Sequence, residues 1–102
     1  MSVLRNSYKG IRRERWQWLL DNQPELADRM RREDTDGDYI REWERAYHQR
    51  SSELAGYCME KCGATPELNR KDALAYIRAV ERAQEMATEM LRVEMIQTPL
   101  AL

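Results

Sequence analysis

The chain has 102 residues, 34% of them charged and 42% hydrophobic, with 4 Gly, 3 Pro and no Phe. That length allows one domain with a modest core and excludes a two-domain enzyme or a large enclosed pocket, and a composition led by Glu, Arg, Ala, Leu and Met is that of an all-α fold. The net charge of −1 conceals a polarity, with eight bases against four acids in residues 1–32 and eight acids against Arg41, Arg45 and Arg50 in residues 33–60, so a basic first third can satisfy an acidic second third within the fold or across a homodimer.

The first predicted helix covers 11–20, IRRERWQWLL, with Ile11, Arg15, Trp18 and Leu19 near one face and Trp16 and Leu20 widening the apolar side. Asn22-Gln23-Pro24-Glu25 then reads as a restart, in which Asn22 or Gln23 caps and Pro24 sits in the first turn. The second helix, 24–33, buries Leu26 and Met30 at i and i+4. Asp34-Thr35-Asp36-Gly37-Asp38 breaks it, with Gly37 expected to allow the bend and the aspartates to cap the next helix.

Ile40, Trp43, Tyr47, Leu54 and Cys58 recur at helical spacing and predict a long third helix over 39–62, stopped by Gly63. Gly63 to Asn69 reads as a linker, and Asn69 with Asp72 as a capping arrangement. A fourth helix is predicted over 70–97, with Ala73, Tyr76, Val80, Ala83, Ala87 and Met90 as its seam and Leu74, Ile77, Met86, Leu91 and Val93 beside it. At about 1.5 Å per residue the last two helices would be roughly 36 to 42 Å long. The expected architecture is therefore one domain of two short N-terminal helices followed by a long antiparallel helical hairpin.

No apolar run approaches the roughly 18 to 20 residues of a membrane span, and MSVLRNSYKGIRRERW lacks the apolar stretch of a signal peptide. The expectation is a cytosolic protein that does not engage the membrane. Cys58 and Cys62, four apart on one helix, are badly placed for a disulfide and are expected as reduced thiols.

DTDGD opens like an EF-hand calcium loop, yet Tyr39 occupies the position that needs Gly, the loop is one residue short, and no second loop accompanies it. His48 stands ten residues from Cys58 on the same helix, about 15 Å in rise, which leaves only a CxxxC pair where structural zinc needs four ligands. No Gly-rich phosphate loop, HExxH or Ser-His-Asp arrangement is present. The sequence reading is accordingly of a protein with no metal, no cofactor and no catalytic residue.

Two binding classes remain. KGIRRERWQW interleaves Arg12, Arg13 and Arg15 with Trp16 and Trp18, a combination that can hold phosphates and stack bases, although the sequence pI of about 5.9 and the adjacent acidic corner oppose it. Protein recognition draws on Trp16, Trp18, Trp43 and Tyr47 with the arginines, residue types enriched at binding hot spots. The apolar tail, with Pro99, Leu100 and Leu102, is a further contact, and Pro66 and Pro99 follow threonines in X-Pro bonds that a prolyl isomerase could engage.

The short Arg-, Glu- and Trp-rich chain that includes RRERWQWLLDNQPELADRMRRE resembles, in size and texture over its whole length, the small early proteins of temperate phages. Among these it is similar to the phage anti-RecBCD accessory proteins. The resemblance implies a phage-encoded inhibitor or modulator that binds a larger host protein in the bacterial cytosol, a DNA recombination and repair nuclease or helicase complex. It assigns no residue a role.

Overall fold

The computed structural model describes residues 8–101, and they form an all-α structure without a strand among them. The helices are α1 Ile11–Asn22, α2 Pro24–Arg32, α3 Asp36–Lys61, α4 Pro66–Lys71 and α5 Ala73–Leu91, followed by a π-helical turn, Arg92–Ile96. The described residues group into two compact units, residues 8–47 with 93–101, and residues 48–92. The division has a visible cause: between Trp43 and Leu54, α3 buries no side chain, because the intervening run is polar apart from Ala46 and the half-buried Tyr47.

In the first unit Trp16, Leu19, Ala27, Met30 and Ile40 form the core, with Tyr8, Trp18, Leu20, Leu26, Tyr39 and Leu100 packed around it. Burying each large apolar side chain is worth about 1.5 to 3 kcal/mol. Trp16 contributes volume at a cost, since its indole Nε1 is buried without a hydrogen-bond partner.

The bend between α2 and α3 corrects the sequence reading. Gly37 lies inside the first turn of α3, and the left-handed residue is Asp34, at φ 58°. Asp34 N–H donates to Arg31 O at 3.2 Å and Thr35 N–H to Met30 O at 2.9 Å. These two bonds make a Schellman motif, which satisfies orphan carbonyls at the end of α2. The same motif closes α3: Gly63, at φ 74°, donates to Glu60 O at 3.1 Å, and Ala64 to Met59 O at 2.9 Å.

The second unit has a core of small residues, with Leu54, Cys58, Ala64, Ala79, Ala83 and Leu91 buried. The predicted 70–97 helix, the second arm of the expected hairpin, is divided into α4, α5 and the π-helical turn. Asp72, at φ −154° and ψ 91°, interrupts the helix, and its carboxylate accepts the Ala75 N–H at 3.1 Å to start α5. The stretch read as a linker contains a helix start of its own, in which Thr65 Oγ1 accepts the Leu68 N–H at 3.2 Å and Pro66 occupies the first turn. Asn69 therefore does not cap.

Candidate interaction surface

Arg15 and Trp43, both singled out from sequence as binding residues, are buried and face the last helical turn of the chain. That turn ends in carbonyls with no helical partner, as every helix does. Thr98 Oγ1 donates to Val93 O at 2.8 Å and to Glu94 O at 2.6 Å. Trp43 Nε1 donates to Met95 O at 2.8 Å, and Arg15 Nη1 to Ile96 O at 2.7 Å. Four successive carbonyls are thus capped by three side chains.

Arg15 reaches further, donating from Nη1 to Thr98 O at 2.7 Å and from Nε to the Tyr39 hydroxyl at 2.8 Å. Its guanidinium lies 5.4 Å from the Trp18 ring centroid and 5.9 Å from that of Tyr39. It is 3% exposed, and no carboxylate of the described residues stands within ion-pair distance of it. The positive charge is supported instead by the negative end of a helix dipole and two aromatic faces. Gln23 fastens the segment beyond, with its Nε2 donating to Leu100 O at 3.0 Å and its Oε1 accepting the Leu100 N–H at 2.8 Å. Gln23 makes no side-chain cap to α2.

These bonds disperse the basic, aromatic face expected of residues 12–18. Arg15 and Trp16 point inward because α1 turns that side onto the core. Arg12 is half-buried and paired through Nε and Nη2 with Glu44 Oε1, each at 2.6 Å. Arg13 alone of the three arginines is exposed. Trp18 is half-buried beneath Arg15, and Tyr47 is half-buried with its ring 5.3 Å from that of Trp43. Pro66 and Pro99 are exposed, Leu100 is half-buried, and Leu102 lies outside the described residues.

Two of the three carboxylates of the acidic corner are engaged by protein groups. Asp36 accepts from the Tyr8 hydroxyl and lies 3.8 Å from Arg31, while Asp38 pairs with Arg41 at 2.9 Å. Burial first, then the bond to Asp36, push the Tyr8 hydroxyl above its ordinary titration range. Among the described residues no group of three His, Cys, Asp or Glu side chains is gathered that could hold a metal ion.

Most of the exposed large apolar side chains among the described residues belong to the second unit, Val93 of the first being the exception. Leu74 and Ile77, one turn apart on α5, are 58% and 53% exposed, and Tyr57 on α3 and Met86 on α5 are also open. From sequence Leu74, Ile77 and Val93 are expected beside the buried seam, and Val93 is 56% exposed; Leu74 and Ile77 are open as well. They face solvent because Ala79 and Ala83 mark the inward side of α5, and Leu74 lies roughly opposite at 100° per residue. Bases accompany them in sequence: Arg70 and Lys71 end α4, and Arg78 follows Ile77; all three are exposed.

Inside the same unit Cys58 Sγ lies 3.9 Å from Met90 Sδ. Cys58 is buried and Cys62 half-buried, both as free thiols, and burial followed by the nearby Cys62 pushes the Cys58 thiol up. No helix of the described residues is long and apolar enough to cross a membrane. Comparison of the chain with protein-family models, curated proteins and solved structures finds no match in any of the three.

Proposed function

We propose that the chain is a helical protein-interaction module that docks the Leu74 and Ile77 face of α5 on a larger protein. The carrying observation is the exposure of these two side chains, one turn apart, in a unit whose buried residues are mostly small. Two large apolar side chains left open to solvent one turn apart form a patch of the kind that marks a docking surface. The resemblance to small phage proteins supplies the partner class, a host recombination nuclease complex of the RecBCD type, and the role, a phage-encoded modulator acting in the bacterial cytosol. Binding rather than catalysis is the reading that fits, since Tyr8, Arg12, Arg15, Asp36 and Asp38 are engaged in intramolecular bonds.

The nucleic-acid reading loses its main residues, because Arg15 and Trp16 are buried and Arg12 is paired. Degradation of linear duplex DNA by purified RecBCD tests the proposal. Titrating in the chain is expected to change the rate saturably, and an unchanged rate at tens of micromolar would reject this partner class.

A further inference from the structure

We propose that Cys58, Cys62 and Met90 form a three-sulfur site for a soft monovalent cation, copper(I). Cys62 N–H donates to Cys58 O at 3.0 Å, so the helical path continues through Cys62 and places its side chain one turn above Cys58, on the same face. Met90 comes from α5 and brings its thioether within 3.9 Å of the Cys58 sulfur. Two metal–sulfur bonds of about 2.3 Å, the length of a metal–thiolate bond, set about 120° apart would separate their sulfurs by roughly 4.0 Å. Cys58 and Met90 already stand at the edge length of a trigonal site.

The donor set selects the ion. Thiolate and thioether sulfurs favour copper(I), whereas zinc requires a fourth ligand. No group of three His, Cys, Asp or Glu is available among the described residues to supply a harder site. An i, i+4 cysteine pair on one helix is unsuited to a disulfide, so both sulfurs stay available as ligands. On binding, each thiol releases one proton to solvent and donates a sulfur lone pair to the metal, giving a bis-thiolate complex of net charge −1 with no change of oxidation state. Cys62, half-buried, is the ligand open to an arriving ion, and Met86, one turn before Met90 and partly exposed, offers a further thioether on the same side of α5.

The test is anaerobic competition of the full chain against a chromophoric copper(I) chelator, bathocuproine disulfonate. One copper(I) per chain is expected to transfer, with an all-sulfur first shell by X-ray absorption. Cys58→Ser and Cys62→Ser should each weaken binding at least about 100-fold, the upper end of what loss of a merely supporting contact costs. Met90→Leu keeps the packing volume and should weaken it about 10-fold, with an unchanged circular dichroism spectrum. Failure to compete, copper retained by the Cys58→Ser/Cys62→Ser double variant, or full affinity in Met90→Leu would each overturn the three-sulfur site.

Discussion

Gln23 and Leu100 exchange two hydrogen bonds, one in each direction, at 3.0 and 2.8 Å. A primary amide has one donor edge and one acceptor edge, and here both are matched to the backbone of a single residue. Gln23→Ala should cost about 1 kcal/mol, the net worth of ordinary hydrogen bonds. The sharper readout is local: amide exchange at Leu100 should accelerate while that of Leu19 and Ile40 follows only the change in global stability. Unchanged protection at Leu100 would contradict the clamp.

Arg15 caps the last described helical turn from inside the first unit. Arg15→Ala would leave the Ile96 and Thr98 carbonyls and the Tyr39 hydroxyl without their donor, and the expected loss is about 3 kcal/mol in urea denaturation. Arg15→Lys keeps the charge near the helix end but not the planar fork, and should lose less. Tyr39→Phe removes one acceptor and should cost about 1 kcal/mol.

Tyr8 gives the fold a dependence on alkaline pH. Its hydroxyl is held above its ordinary range in the folded protein, so the folded state keeps the proton more tightly than the unfolded chain. The corresponding stability is fully present below the unfolded value, about 10 for tyrosine, and is lost as pH rises toward the folded one. Denaturation midpoints measured between pH 8 and pH 11 should fall more steeply for the wild type than for Tyr8→Phe. Parallel curves would show that the Asp36 bond contributes nothing to this linkage.

The two Schellman turns predict opposite responses. Gly63 is surrounded by open space, with nothing within 4 Å of an added Cβ, so Gly63→Ala meets only the left-handed backbone and should cost about 1 kcal/mol. Asp34 already bears that strain, and Asp34→Gly relieves it while loosening the unfolded chain. Its expected effect is neutral to about 1 kcal/mol stabilising. Thermal melts of the two variants against the wild type check the pair.

The sequence carried the parts of this structure that depend on local repetition. Ile40, Trp43, Leu54 and Cys58 recur with the helical period, and all four are buried along α3. Arg15 was not legible as a core residue, because its acceptors lie 81 and 83 residues away along the chain and only the assembled fold brings them within reach. The helix start at Thr65-Pro66-Glu67 was locally visible, as a capping threonine followed by a first-turn proline, but the adjoining Gly63 made the whole stretch read as linker. Gly37 misled in the opposite way. The bend is set three residues earlier, where α2 ends and its carbonyls need a left-handed successor, and Asp34 supplies it. Met90 joined the cysteine pair only through packing, since nothing in the spacing of 58, 62 and 90 links them.

Calorimetric titration of RecBCD with the chain and with Leu74→Glu/Ile77→Glu tests the interaction face most directly. Both substitutions lie on exposed positions of α5, where a helix-compatible charge should change stability by no more than about 0.5 kcal/mol. Saturable binding by the wild type is expected, with at least a 100-fold weaker affinity for the double variant and with Arg13→Glu, at an exposed position of α1, nearly unaffected. Equal affinity for the wild type and the Leu74→Glu/Ile77→Glu variant would contradict it.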